Sequence, residues 1–295
     1  MSLVINHNMM AMNAARNLGH SYGRLATSTQ RLSSGLRING SADDAAGLAI
    51  RELMRAEIAA MNQGIRNAND GISLLQTADG ALQIIDEKLI RMKELAEQAS
   101  TGTYNSQQRL MIESEYQQMA SEITRIALST DFNGIKLLDG SLSGAHDGSG
   151  LESTGDLKIH FGTSNSSDED YYYVRIGSAT ASALGVGNQA ADGPGKTIST
   201  QQAAQQALDA INSAIDDKDK IRAHLGAMQN RLENTVSNLQ IMAENLQAAE
   251  SRISDVDVAT EMTEFVRNQI LTQSAVAMLS QANSLPQMAL QLIQG

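Results

Sequence analysis

Apolar and small residues recur at alternating steps of four and three near both ends of this chain. In the N-terminal stretch the series comprises Ala11, Ala15, Leu18, Tyr22, Leu25, Thr29, Leu32 and Leu36. In the C-terminal stretch it comprises Leu271, Ala275, Met278, Ala282, Leu285, Ala289 and Leu292. This spacing is the seam of a coiled coil, so both ends are predicted to be helices that associate with other helices. Two such seams indicate assembly with copies of the same chain or with close relatives.

The same rhythm predicts three further helices between the ends. One runs from about residue 42 to 100, with Ser41 as its cap and a seam from Ile58 to Ala99. A shorter one follows the turn at 101–103 and reaches Leu128. Helix resumes near residue 200 and continues to Ile253, where a break at 254–257 precedes the last stretch. Helices joined by short loops are expected to lie antiparallel.

The middle of the chain has a different pattern. Asn133-Gly134 predicts a tight hairpin turn, and residues 157–161 and 171–176 are typical of strands. The fold class predicted is therefore mainly α: a long antiparallel helical bundle or coiled coil, a small β-hairpin region in the middle, and paired terminal helices. The predicted domains are a terminal-helix assembly domain (1–41 and 254–295), a bundle domain (42–140 and 197–253) and, at its outer end, a hairpin and loop segment (141–196).

Composition supports a helical rod rather than a catalytic domain. The 295 residues include only 2 Pro, no Trp and no Cys, and aromatic residues are 3%. Few prolines permit long helices, and few aromatic residues imply a core of Leu, Ile, Met and Ala. The net charge of −11 argues against a nucleic-acid partner. No apolar run is long enough to span a membrane, and residues 1–10 lack the features of a cleaved signal peptide.

The two ends carry opposite charge. Residues 1–42 contain four arginines and no acidic residue: Arg16, Arg24, Arg31 and Arg37. Residues 255–295 contain Arg267 and four acidic residues: Asp255, Asp257, Glu261 and Glu264. We therefore expect the two termini to pair, with the charges favouring one register.

Residues 268–295 are uncharged and rich in apolar side chains. The larger ones are Ile270, Leu271, Val276, Met278, Leu279, Leu285, Met288, Leu290, Leu292 and Ile293. A single intramolecular seam buries too few of them to offset the entropy of ordering the segment. We predict that the termini are mobile in the monomer and become ordered on assembly. A lipid-binding helix is the weaker alternative, because the segment lacks a Lys/Arg-rich polar face.

Candidate chemistry is sparse. The five histidines (His7, His20, His146, His160 and His224) show no metal-binding spacing, and no His-Glu-x-x-His, phosphate loop or nucleophile elbow is present. Asp168-Glu169-Asp170 is compatible with a calcium site, but a solvated turn between two strands is the favoured interpretation. No catalytic residue, cofactor site or metal site is predicted, and the chain is expected not to be an enzyme.

Several longer motifs resemble those of bacterial flagellins. At the N-terminal end these are Arg31-Leu-Ser-Ser-Gly-Leu-Arg-Ile-Asn39, Asp43-Asp-Ala-Ala-Gly-Leu-Ala49, Arg66-Asn-Ala-Asn-Asp-Gly-Ile-Ser73, Gln76-Thr-Ala-Asp-Gly-Ala-Leu82 and Asp131-Phe-Asn-Gly134. At the C-terminal end they are Glu250-Ser-Arg-Ile253, Gln269-Ile-Leu-Thr-Gln273, Ser280-Gln-Ala-Asn283 and Leu285-Pro-Gln287. The resemblance covers roughly 1–140 and 197–295, and only about 60 residues separate the two parts. It implies a minimal flagellin without a separate outer domain.

The resemblance implies a subunit of the flagellar filament used for swimming motility. In that family the terminal helices form the inner tube and the bundle forms the surrounding wall. The implied partners are further copies of the chain, the flagellar cap, the hook-junction proteins and an export chaperone. The implied location is extracellular, reached through the flagellar type III channel without a cleaved signal. A hook–filament junction protein is the alternative within the same superfamily, and it would form short rings instead of long tubes.

Two further expectations come from the resemblance. Arg91, Leu95 and Glu115 match the positions through which some flagellins contact the host flagellin-sensing Toll-like receptor. Arg and Leu four residues apart are common on helices, so receptor contact and an ordinary helix surface are left as equal alternatives. Serine and threonine residues of 141–200 lie where flagellins carry O-glycans, and the sequence selects no particular site.

Overall fold

A computed structural model describes residues 7–151, 154–167, 169–190 and 193–294, apart from the side chains of 285–287 and 289–294. Its helices are α1 (Met9–Ser34), α2 (Ala45–Ser100), α3 (Ser106–Ser129), α4 (Gln201–Ser254) and α5 (Val258–Gln294). Its strands are β1 (Asp131–Phe132), β2 (Ile135–Lys136), β3 (Leu157–His160) and β4 (Tyr171–Val174). The predicted fold class, mainly helical with a small hairpin region in the middle, is confirmed.

Local chemistry sets the ends of the first two helices. The Asn8 side chain accepts the backbone N–H of Ala11 at 3.0 Å and caps α1, which ends at the left-handed Gly35. The prediction that Ser41 caps α2 is wrong. Asp44 takes that role, because its carboxylate accepts the N–H of Gly47 at 2.9 Å, and α2 begins at residue 45.

The chain forms two compact units, each described by itself below. The first contains residues up to 58 and from 244 onward, and the second contains residues 59–243. These limits come from contacts within a single chain. The predicted assembly boundaries at 41/42 and 253/254 concern contacts between copies, and they stay a prediction.

The core of the second unit follows the predicted seams. On α2 the buried residues of the predicted seam are Met61, Ala68, Leu75, Ala78, Leu82, Ile85, Leu89, Met92, Ala96 and Ala99, and the neighbouring Leu74, Ala81 and Leu95 are buried with them. Tyr116 and Ile123 of α3 and Leu225 and Leu232 of α4 are buried against the same core. Arg222 of α4 bonds Asp79 of α2 at 2.7 Å, and Lys218 bonds Asp86 at 2.5 Å. Because the residue numbers run in opposite directions, α2 and α4 are antiparallel in this unit.

Two hairpins complete the second unit. Asn133 and Gly134 have φ of 51° and 82°, which are the left-handed values that the predicted turn between β1 and β2 requires. Strands β3 and β4 pair antiparallel, with Leu157 opposite Val174. The β3–β4 hairpin lies against α2, since the Asn67 side chain donates to the carbonyl oxygen of His160 at 2.9 Å.

Within the part of the chain just described, no helix combines the length and the apolar character needed to cross a bilayer.

Candidate assembly site on the terminal helices

Helices α1 and α5 form an antiparallel pair, as the opposite charges of the termini predict. At one end the N–H of Arg37 donates to the carbonyl of Ser254 at 2.7 Å. At the other end the Asn8 side chain donates to the carbonyl of Ala282 at 2.7 Å. Between them Arg31 pairs with Glu261 at 3.6 Å. The pairing of the terminal helices is thus confirmed.

The two helices bury small and polar side chains against each other. On α1 the least exposed stripe is Ala11, Ala14, Leu18, Ser21, Leu25, Ser28 and Leu32. On α5 it is Glu261, Phe265, Asn268, Thr272, Ala275, Leu279 and Ala282. Ser28, Asn268, Thr272 and Ala282 are the buried members of the two stripes. Thr272 stays satisfied there because its hydroxyl donates to the carbonyl of Asn268 at 2.8 Å.

The structure divides the predicted assembly seam into three groups. Leu18, Leu25, Leu32, Leu36 and Leu279 are half-buried within the first unit. Tyr22, Leu271 and Met278 point outward and are 54%, 42% and 61% exposed. The side chains of Leu285 and Leu292 lie outside the described residues. The role of all ten in assembly stays a prediction.

Large apolar side chains cover the outside of the pair instead. They are Met9, Met10, Met12, Tyr22, Val258, Met262, Val266, Ile270, Leu271, Val276, Met278 and Met288. At 100° per residue, Val266 and Ile270 share one side of α5, while Leu271 and Val276 lie on two other sides. A helix that is apolar all round is normally buried all round. Unlike a water-soluble helical hairpin, the pair therefore leaves many large apolar side chains on its outside.

An open groove runs along one flank of the pair. Its volume is about 810 Å³, and its apolar lining comes from Met10, Ala14, Leu271, Ala275 and Met278. Asn13, Asn17, His20, Ser21, Arg24 and Ser274 supply the polar part of the lining. Along α1, the groove residues Ala14 and Ser21 lie on one side of Leu18, and Tyr22 lies on the other.

Sequence reasoning missed the inner stripe at Ser28, Asn268 and Thr272, and also the groove residue Met10. The signal was present as a second 4-3 series one position away from the apolar one, through Ala14, Ser21 and Ser28. Hydrophobic periodicity points to the apolar series instead, because small and polar residues contribute little to it.

The predicted receptor residues lie in the second unit. Arg91 donates to one carboxylate oxygen of Glu115 from Nε at 2.9 Å and from Nη2 at 2.8 Å. Its third bond goes to Glu94 at 2.9 Å, and these bonds raise the pKa of Arg91, the one to Glu115 most. Leu95 is only 1% exposed and belongs to the core. Arg91 and Glu115 thus share the surface, with Leu95 beneath them.

The described residues hold no group of three or more His, Cys, Asp and Glu side chains placed to bind a metal ion. In the acidic turn considered for calcium, Asp168 lies outside the described residues. The carboxylate of Asp170 accepts the N–H groups of Ser166 at 2.7 Å and Ser164 at 3.3 Å. These bonds give Asp170 a structural role in the loop between β3 and β4.

Comparison with known proteins identifies both halves of the chain. Residues 5–143 match the bacterial flagellin N-terminal helical region, and residues 208–293 match the bacterial flagellin C-terminal helical region. The chain is 45% identical over 291 residues to a flagellin of Halalkalibacterium halodurans and 43% identical over 291 residues to flagellin FlaB2 of Treponema pallidum. It is also 43% identical over 291 residues to the flagellar filament 33 kDa core protein of Treponema phagedenis. Each alignment covers 99% of this chain and 100% of the relative.

Proposed function

This chain belongs to the bacterial flagellin family, and we propose that it is the structural subunit of a flagellar filament used for swimming. The observation that carries the proposal is the apolar outer surface of the terminal pair. Helices α1 and α5 bury Ser28, Asn268 and Thr272 between them and expose Tyr22 and Met278 to water. Such an arrangement is stable when further helices cover the outside.

Burial of the outer apolar surface of the α1–α5 pair would release a large amount of free energy. Burial of a Leu, Ile or Met side chain contributes roughly 1.5–3 kcal/mol. The exposed side chains of the pair include Ile270 and Leu271 of α5, together with six methionines. Copies that bury even part of this surface offset the entropy lost on association. This balance between apolar burial and association entropy favours self-assembly through the terminal helices.

The placement of the groove favours an open polymer. The groove lies on one flank of the pair, and Tyr22 lies on the opposite flank of α1. A contact between two different surfaces repeats from copy to copy, and it gives a helical filament unless the rotation closes a ring. The full-length similarity to flagellins and a filament core protein favours the filament over the ring-forming hook–filament junction protein.

The remaining parts of the proposal follow from the family. The filament is extracellular, and the subunit reaches it by flagellar type III export. The flagellar cap, the hook-junction proteins and an export chaperone are its other partners. The subunit is structural and carries no enzymatic activity. Serine and threonine residues of 141–200 are the sites for any O-glycans.

Recognition by the host flagellin-sensing Toll-like receptor is a second proposal for the surface around Arg91. The ion pair between Arg91 and Glu115 presents a fixed polar feature there. The buried Leu95 contributes by holding the helix surface under Arg91 in place.

Seeded polymerisation tests the filament proposal. Purified monomer is mixed with short filament fragments and imaged by electron microscopy. Long tubes are the expected result. Short rings would favour the junction protein, and a persistent absence of assembly would contradict the role given to the terminal helices.

A further inference from the structure

Methionine is the oxidisable residue of this chain. The sequence has 14 methionines and no cysteine or tryptophan. Hydrogen peroxide is therefore expected to oxidise methionine thioethers before other side chains. Their solvent exposure decides which of them react. Met61, Met92 and Met228 are buried in the core of the second unit. Exposed methionines concentrate on the terminal helices, at Met9, Met10, Met12, Met262, Met278 and Met288.

Two of the exposed methionines line the groove, one from each terminal helix. Met10 comes from α1 and is 49% exposed, while Met278 comes from α5 and is 61% exposed. Leu271 and Ala275 complete the apolar lining beside Met278. A peroxide molecule reaches both sulfur atoms from solvent in the monomer, because the groove is open.

We propose that Met10 and Met278 form an oxidation-sensitive site at which conversion to the sulfoxide blocks filament growth. The inference rests on the proposed function, since the groove is taken to receive a second copy of the chain. In the reaction the thioether sulfur attacks one peroxide oxygen, the O–O bond breaks, and an S–O bond forms. Sulfur is oxidised by two electrons and the peroxide is reduced. The proton on the transferred oxygen passes to the departing hydroxide, which leaves as water.

The sulfoxide changes what the groove binds. It is a strongly polar acceptor, whereas the thioether is a flexible apolar side chain. In the monomer, water satisfies the sulfoxide oxygen. When a second copy enters the groove it removes that water. Ala14, Leu271 and Ala275 offer no side-chain donor in its place, so the sulfoxide oxygen must compete for the donors of Asn13 and Ser274 in the polar part of the lining. Growth is therefore selectively impaired while each unit keeps its fold.

The experiment treats wild-type monomer with hydrogen peroxide, removes the peroxide with catalase and measures seeded elongation. Peptide mass spectrometry reports the oxidation of each methionine. We expect Met10 and Met278 to oxidise well before Met61 and Met92, and elongation to fall by about tenfold or more. Methionine sulfoxide reductase restores elongation of the oxidised protein.

The double variant Met10→Leu/Met278→Leu identifies the site. Leucine is similar in volume and cannot be oxidised, so peroxide should reduce the elongation of this variant far less than that of wild type. The loss that remains is assigned to the other exposed methionines of the pair, Met9, Met12, Met262 and Met288. Met111→Leu is the matched control, because Met111 is 70% exposed but lies on α3, and this variant stays sensitive. The inference is overturned if oxidised wild type elongates normally, if reductase restores nothing, or if the double variant loses elongation as wild type does. Untreated wild type that never elongates overturns the proposed function as well.

Discussion

The carbonyl group of Phe161 occupies the space where a side chain on Gly64 would begin. The β3–β4 hairpin therefore approaches the backbone of α2 directly. One heptad further along α2, Gly71 receives the side chain of Ile159 in the same way. Between the two glycines, Asn67 bonds the carbonyl of His160. The hairpin thus packs directly on the backbone of α2, because the glycines at 64 and 71 have no side chain to keep it at a distance.

Gly64→Ala should displace the hairpin and lower the free energy of unfolding by about 1–3 kcal/mol, because the new methyl group meets backbone rather than a flexible side chain. Urea unfolding of the monomer, followed by circular dichroism, measures the change. Gly80→Ala is the matched control on the same helix. Nothing lies within 4 Å of its would-be Cβ, so helix propensity alone should stabilise that variant by about 0.5–1 kcal/mol. Equal effects at both positions would contradict this account of the hairpin.

The buried Lys218 of α4 forms an ion pair with α2 in the second unit. Its side chain is 2% exposed, and its ammonium group bonds Asp86 at 2.5 Å and Asp219 at 2.6 Å. Lys218→Met keeps most of the aliphatic volume and removes the donor from Asp86, so unfolding free energy should fall by about 1–3 kcal/mol. Lys220→Met, which removes an exposed pair with Asp217, should leave it unchanged. A similar loss in both variants would mean that the charge of the α4 surface matters more than the buried bond.

Asp170 should make the second unit sensitive to acid. The N–H of Ser166, with a smaller contribution from that of Ser164, holds the pKa of the Asp170 carboxyl below its ordinary value. The unfolded chain therefore binds the proton more readily than the native one. This carboxylate stabilises the fold above its unfolded pKa, and the stabilisation disappears as the pH falls through its lower folded pKa. Unfolding curves of wild type and Asp170→Asn should converge as the pH is lowered; parallel curves would contradict the assignment.

The receptor proposal makes a prediction at Arg91. Arg91→Ala should weaken receptor signalling by the monomer about tenfold, because an arginine anchor contributes strongly when its partner surface is desolvated. Arg125→Ala is the control, since Arg125 forms a comparable exposed pair with Glu122 on α3. A reporter assay in cells that express the receptor gives the measurement. Signalling that is equal in wild type and both variants would remove the receptor from the list of partners.

Much of the second unit could be predicted from the sequence because its pattern is unambiguous. Most large apolar residues of α2 between Met61 and Ala99 fall on or beside one seam, so a single buried face accounts for them, although Ile84 and Ile90 stay exposed. The turn at Asn133-Gly134 has one favoured geometry, and the structure adopts it. The start of α2 does not follow from the sequence, since Ser41, Asp43 and Asp44 are all residue types that cap helices. In the structure Asp43 accepts the N–H groups of Asn39 and Gly40 in the preceding turn, and Asp44 caps the helix.

The sequence predicts that the terminal helices pair, but it does not predict which faces of the two helices meet. Leu18, Leu25 and Leu32 belong to both possible seams, so helical periodicity alone does not decide between Tyr22 and Ser21 as the next inward residue. Hydrophobicity favours Tyr22, yet the structure turns Ser21 inward and Tyr22 outward. The small and polar stripe allows close pairing within the chain. Under the filament proposal, the apolar stripe is the surface that contacts other copies.

Mobility of the isolated termini also stays a prediction. Residues 268–284 of α5 are expected to exchange their amide hydrogens rapidly in dilute monomer, because one partner helix buries few of their apolar side chains. The same amides should become protected in filaments. Strong protection in the monomer would show that the pair with α1 is stable without assembly.

The most direct test of assembly through the terminal helices is a charge at Met278. This side chain is exposed in the monomer, so Met278→Asp leaves the α1–α5 pair intact, whereas Leu279→Asp would disturb the half-buried seam between them. In seeded elongation, Met278→Asp is expected to stay monomeric with an unchanged unfolding curve, because assembly would bury an unpaired carboxylate. Met278→Leu should elongate like wild type. Long filaments from Met278→Asp at the wild-type rate would contradict the assembly site.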